Sequence, residues 1–182
     1  IFPGDTADLD SDAWSGLRNT IEEEHAGMQP LLTGVDAGYR TELVYQFATE
    51  YDQGVVPVMG FDTIHGGREY IKASNIKSGQ GGARVDVNTD LLKQEFYRQL
   101  QKSPYESGNV PGGYCYFPVD YARQHYVRLT AESRVLKNVG GRKRYVWDAG
   151  ERRNEQLDCR VYALAMVYAF KAYVEDEHGL QP

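Results

Sequence analysis

Leu157, Val161, Leu164 and Tyr168 recur at i, i+4, i+7 and i+11, the spacing that puts four apolar side chains on one stripe of an α-helix. The pattern predicts a long helix from about Arg153 to Val174 that has to bury that stripe against something. Asp158 and Tyr162 lie directly beside the stripe, so a carboxylate sits next to an otherwise buried seam. An ionised carboxylate there is costly unless it is paired. Arg153 or Arg160 on the same helix could pair with it, as ordinary helix-flank residues do; a bound metal ion is the other partner.

What precedes this helix alternates short apolar runs with amphipathic stretches, which argues an α/β fold. Ser11 or Asp12 can cap a first helix with Trp14, Leu17 and Ile21 on one face, ending near Gly27. Leu31 to Val35 reads as a buried strand with Asp36 at its C-terminal end, followed by a helix from Thr41 carrying Val44, Phe47, Ala48 and Tyr51. Val55 to Met59 reads as a strand that Pro57 makes an edge or late-starting one. Tyr70 to Ile76 and Arg84 to Val87 read as strands around the turn Ser78 to Gly82. Asn88 or Thr89 can cap a helix with Leu92, Phe96 and Leu100 inside. Beyond the loop from Ser103 to Gly113, Tyr114 to Phe117 reads as a strand and Val119 to Ser133 as a helix. Val135 to Val139 and Lys143 to Trp147 then form a hairpin about Gly140-Gly141.

The 182 residues are enough to bury one substantial core, and no repeat or long linker divides them, so residues 1–182 are expected to form a single domain. Cys115 and Cys159 are too few for a disulfide framework and match no zinc spacing; two reduced, mostly buried thiols are expected. No run of 18 apolar residues suggests a membrane span, and there is no export signal. The glycines at 79, 81 and 82 lack the Lys-Ser/Thr of a phosphate loop. His25, His65, His125 and His178 show no metal-ligand spacing, and no serine or cysteine sits in a nucleophile elbow.

The formal net charge of −6 argues against a protein that coats nucleic acid by bulk charge. Its distribution is uneven. Arg134, Lys137, Arg142, Lys143, Arg144, Arg152 and Arg153 stand against Asp148 and Glu151 just before the helix bearing Asp158. This is either a solvated surface or a contact stripe for a phosphate backbone.

Asp36, at the C-terminal end of a strand, would point into the crevice where α/β folds bind ligands. If the last helix packs across that edge, Asp158 approaches from the other side. Two such carboxylates repel unless a cation lies between them, and hard oxygen ligands suit Mg²⁺ or Mn²⁺. Asp36 could equally serve only the turn into the helix at Thr41.

Arg153 to Ala163, reading Arg-Asn-Glu-Gln-Leu-Asp-Cys-Arg-Val-Tyr-Ala, resembles the closing motif of the large terminase subunit of lambda-type tailed phages. Phe2 to Asp8 with Trp14, Val35 to Tyr39 with Val44-Tyr45, Val87 to Asp90 through Tyr97, Tyr116 to Pro118, and Leu129 to Glu132 through Tyr145 to Trp147 follow in that family's order. The similarity covers nearly the whole chain and falls within the C-terminal nuclease domain. It implies an RNase H-like mixed sheet flanked by helices. It also implies an endonuclease that cuts concatemeric viral DNA during genome packaging with two divalent metals, Mg²⁺ or Mn²⁺. Asp36 corresponds to the second acidic position and Asp158 to the last. Implied partners are double-stranded DNA and, for the full-length protein, the terminase small subunit and portal; within the basic stretch, Arg142, Lys143, Arg144, Arg152 and Arg153 are the candidates for backbone contacts. The implied location is the host cytoplasm.

The family's first catalytic aspartate lies on its first strand, and this chain aligns after the first three strands, opening on Ile1 without a methionine. An N-terminally incomplete sheet with an exposed edge, prone to self-association and weak in metal binding and cutting, is the expectation. Rival expectations are another RNase H-like enzyme, such as a junction resolvase, and a non-catalytic binding or assembly module in which Asp36 and Asp158 are structural caps.

Overall fold

A computed structural model describes residues 5–51, 54–64, 67–75 and 83–178. The turn Ser78 to Gly82, Ile76 and the opening Phe2 to Gly4 lie outside these residues. The chain runs α1 (Asp12–Glu22), β1 (Thr33–Asp36), α2 (Thr41–Ala48), β2 (Val55–Phe61), β3 (Ile71–Asn75), β4 (Ala83–Asn88), α3 (Thr89–Leu100), α4 (Arg123–Leu129), β5 (Ser133–Val139), β6 (Arg142–Asp148) and α5 (Glu155–His178). Four strands form a mixed sheet in the order β1-β2-β4-β3, with β1, β2 and β4 parallel and β3 antiparallel to β4. This is the α/β, RNase H-like arrangement of a mixed sheet flanked by helices that was expected.

Helices cover both faces. Trp14 of α1 and Val44, Tyr45 and Phe47 of α2 pack with Val55 on one face. On the other, Leu92 and Phe96 of α3, Leu129 of α4, and Leu157, Val161, Ala165 and Met166 of α5 pack on Val58, Val85 and Val87. Each fully buried side chain of this size contributes about 1.5–3 kcal/mol. The apolar stripe of α5 therefore drives the helix onto the sheet. Close approach requires small residues beneath it: a Cβ on Gly34 would lie 3.0 Å from Val58 and 3.1 Å from Met166 Sδ.

Several expectations are corrected. β2 is an interior strand, not an edge; β4 pairs with it only from Val58 onward, so Pro57 precedes that ladder and its missing N–H interrupts nothing there. β1 begins at Thr33, and Leu31 is exposed, because β1 is the border strand among the described residues. α1 ends at Glu22, where Glu23 turns extended. Tyr114 to Phe117 has no strand partner: Tyr114 N–H closes a turn on Pro111 C=O, and the aromatic rings pack on one another instead. α4 is shorter than the helix expected over 119–133. A turn from Pro118 to Tyr121 delays its start, and Thr130, at φ −114°, leaves the helix with its hydroxyl on Tyr126 C=O.

The hairpin β5–β6 stands apart from the main sheet. Gly140 and Gly141 occupy φ +59° and +78° at its tip, the left-handed pair that a two-residue type I′ turn demands. Its base is fixed to α3: Trp147 stacks on Tyr97 at 5.1 Å and donates its indole N–H to Asp90 at 2.8 Å. Among the described residues, no helix is long and apolar enough to cross a membrane. Both cysteines are free; Cys115 is half-buried, whereas Cys159 is exposed, against the expectation of burial.

Candidate active site

Parallel strands deliver the residues that follow them to one edge of a sheet. Asp36 is the last residue of β1, and Asn88, the last of β4, caps α3 by accepting the Leu91 N–H at 3.2 Å. Five residues into α3, Lys93 is buried. α5 starts beside this edge, with Asn154 C=O accepting the N–H groups of Leu157 and Asp158. The two predicted carboxylates thus stand at a strand end and in the first turn of the helix that packs beside it. Asp36 borders a groove of about 560 Å³ together with Cys159 and Tyr162 of α5.

Asp36 is exposed, and its Oδ1 accepts the Gly38 N–H at 2.9 Å. The turn role anticipated for it is real, and it also fixes the direction of the carboxylate. Asp158 is held differently from the expected Arg153 or Arg160 pairing. Its Oδ2 accepts from Asn154 Nδ2 at 3.0 Å, and its Oδ1 lies 3.7 Å from Lys93 Nζ. Arg153 pairs with Glu155 instead, at 2.6 Å, and Arg160 lies over the ring of Phe96.

Lys93 Nζ in turn donates to both oxygens of buried Glu132, at 2.9 and 2.7 Å, and Asn154 Nδ2 also donates to Glu132 Oε1 at 2.7 Å. Glu132 closes the loop between α4 and β5; Asn154 stands just before α5. Lys93, Glu132 and Asn154 therefore form a support behind Asp158 that charge spacing along the chain did not identify. The available signal was a charged residue, Glu132, lodged directly after Leu129 and Ala131, which are both buried.

Burial raises the Asp158 carboxyl above its ordinary value; Lys93 opposes the rise, while Glu132 and Asp36 add to it. Of these influences on Asp158, that of Asp36 is the smallest. Tyr162, one turn along α5 from Asp158, is pushed up to about 12 by burial first and then by Asp36 and Asp158, so its hydroxyl stays protonated at neutral pH. An acid whose pKa is raised on folding holds an extra proton in the folded state between its ordinary and raised values. Stability from this group is complete at low pH and is lost as pH rises through that window. Asp158→Asn should therefore raise the melting temperature at pH 7. The gain should stay below about 1 kcal/mol, because the half-exposed side chain is screened, and should disappear towards pH about 3.9. Thermal melts at both pH values check this; a lower melting temperature at pH 7 would contradict it.

The basic residues divide into two groups. Arg142, Lys143 and Arg144 are exposed near the hairpin tip and make no ion pair among the described residues. The hairpin base, Ser133 paired with Asp148, adjoins Glu132, and seven-residue strands put the tip about 20 Å from that base. Arg152 folds onto Ala149 C=O at 3.1 Å, and Arg153 lies at the start of α5 beside Glu155. If the tip meets a phosphate backbone, replacing Arg142, Lys143 and Arg144 with Gln lowers the slope of log K against log salt by about 2–3, whatever the DNA sequence. Binding isotherms at several salt concentrations give that slope; an unchanged slope removes the hairpin from the interface.

No group of three or more His, Cys, Asp or Glu side chains gathers closely enough to hold a metal among the described residues. The donor set present is two carboxylates. Mg²⁺ is commonly held by one or two carboxylates, the remaining positions going to water and substrate phosphate. The chemistry of the pair therefore fits a hard divalent ion.

The family described as "Terminase large subunit gpA, endonuclease domain" matches residues 4–177. The large terminase subunit of Escherichia phage lambda is 33% identical over 114 residues, 61% of this chain and 17% of the relative. That of Enterobacteria phage P21 is 31% identical over 132 residues, 70% of this chain and 20% of the relative. The chain thus spans about a fifth or less of the length of these relatives. No solved structure matches it.

Proposed function

Starting from the fact that the chain belongs to the terminase large-subunit gpA endonuclease family, we propose that Asp36 and Asp158 hold Mg²⁺ or Mn²⁺ and cut double-stranded DNA. The observation that carries this reading is the groove in which the strand-end Asp36 meets Cys159 and Tyr162 of α5, the helix bearing Asp158, with Asp158 braced by Asn154 and Lys93. A divalent ion bound there supplies stabilisation of the charge that builds on phosphoryl oxygens during hydrolysis.

The residues of the chain prepare the site. Gly38 N–H orients Asp36, and Asn154 orients Asp158. Lys93, neutralised by Glu132, limits the cation density behind Asp158 so that the carboxylate can still serve a metal. Tyr162 keeps its proton and sets a neutral hydroxyl against the Gly60 backbone, beside the groove of Asp36. The same reading takes the longer protein to act on concatemeric viral DNA in the host cytoplasm, with a small subunit and a portal as partners and copies of itself alongside.

Mn²⁺ titration followed by paramagnetic broadening of amide signals tests the site. Selective loss of the Asp36, Gly38, Asp158 and Cys159 signals is expected, and Asp36→Asn should weaken the effect. No selective broadening at millimolar Mn²⁺ would reject the metal site.

A further inference from the structure

A second cavity, about 700 Å³, opens on the other side of the first turns of α5, between α4, the 116–118 segment and α5. Its size falls within the range of roughly 300–1,000 Å³ typical of small-ligand sites. Cys159 lines both this cavity and the groove of Asp36, so the two are adjacent across one side chain.

Three polar atoms among the cavity-lining side chains are buried with no hydrogen-bond partner among the described residues: Arg128 Nε, Arg160 Nε and Gln156 Oε1. These atoms are covered by the protein itself, but the side chains that carry them are only half-buried, so a ligand reaches them through their outer atoms. Two are guanidinium donors, which suit an anion; with Arg153 the cavity holds three arginines against Glu155 alone. The rest of the wall is aromatic: Tyr116 is 72% and Tyr121 43% exposed, and the Tyr121 ring lies 4.2 Å from that of His125. Exposed aromatic faces beside arginines are the combination on which unpaired nucleobases stack.

We propose that this cavity binds one unstacked nucleotide of a DNA strand, its phosphate on the guanidinium groups of Arg128 and Arg160 and its base on Tyr116 and Tyr121. The assignment rests on reading the adjacent carboxylates as the cutting site, since it places a neighbouring nucleotide one side chain away from them. It extends that reading: beyond charge along a duplex, the substrate offers a base turned out of the stack next to the cut.

The test is a titration of the chain with fluorescently labelled, 5′-phosphorylated tetrathymidylate in EDTA, with the arginine Nε–H signals followed in parallel. The Nε–H signals of Arg128 and Arg160 should shift on binding, and Tyr116→Ala should weaken binding about tenfold. Tyr116 is exposed enough for that variant to fold normally, and Arg128→Gln should weaken binding independently. Unchanged affinity in Tyr116→Ala, or Nε–H signals that do not move, would overturn the proposal. So would a blunt duplex that shifts these signals as strongly as the single strand, because no base would then need to leave the stack. Thymidine monophosphate binding as tightly as the tetranucleotide would reassign the cavity to free nucleotides and reject the strand site. Because the titrations run without metal, their result is independent of Mn²⁺ binding at Asp36 and Asp158.

Discussion

Lys93→Met lowers the unfolding free energy of this chain by about 3–5 kcal/mol, the cost of leaving one partner of a buried ion pair uncompensated. Lys93 and Glu132 expose only 11% and 6% of their side chains, and the lysine donates to both glutamate oxygens. Removing the ammonium leaves Glu132 with the Asn154 amide as its side-chain donor and brings its charge to bear on Asp158. The lower end of the range is expected because that amide remains. Replacing both residues at once, Lys93→Met with Glu132→Leu, should recover much of the loss, since a buried ion pair and an apolar pair of similar volume are often nearly equivalent in stability. Urea unfolding of the single and double variants separates the cases. A single variant within about 1 kcal/mol of the unmodified chain, well below the cost expected for a broken buried pair, would mean that water reaches the pair.

Asp158→Asn in the full-length protein is expected to reduce Mn²⁺-dependent DNA cleavage by more than about a hundredfold, and Asp36→Asn similarly. Changes to groups that only support a metal ligand commonly cost 10–100-fold, so loss of a ligand itself should exceed that. Set beside the stability prediction, the expected pattern is informative. Asp158→Asn should cut less and melt higher at pH 7, because the carboxylate that would bind the metal is a liability to the metal-free fold. A variant that loses cleavage and stability together would point to a structural role for Asp158. Cleavage that persists in both variants, measured as initial rates at saturating Mn²⁺, would move the chemistry elsewhere.

Much of the architecture could be read along the chain. The stripe Leu157, Val161, Leu164 and Tyr168 announced α5, Asn88 announced the cap of α3, and Gly140-Gly141 announced the hairpin turn. These are local rules, in which a few neighbouring residues decide the backbone. The misreadings share the opposite cause. Tyr114 to Phe117 has the composition of a strand, but no neighbouring strand supplies the ladder, and its rings and turn hold it instead. Pro57 suggested an edge or a late-starting strand, yet the strand lies between β1 and β4, and the proline is tolerated because the β4 ladder starts one residue later. Cys159 looked like a buried thiol and lies exposed between two cavities.

For the candidate site, Asp36 and Asp158 were nameable in advance: a carboxylate at a strand end and one beside an apolar stripe are conspicuous in a linear text. Their support was not. Lys93, Glu132 and Asn154 come from three separate segments, and nothing in their local spacing says that an ammonium, a carboxylate and an amide will meet behind Asp158. The sequence by itself determined the periodicities, the caps and turns, and which acidic residues were candidates, because each depends on contacts within a few residues. Tertiary structure alone decided which charge neutralises which, since a buried ion has to find its partner wherever the packed core brings one within about 3 Å.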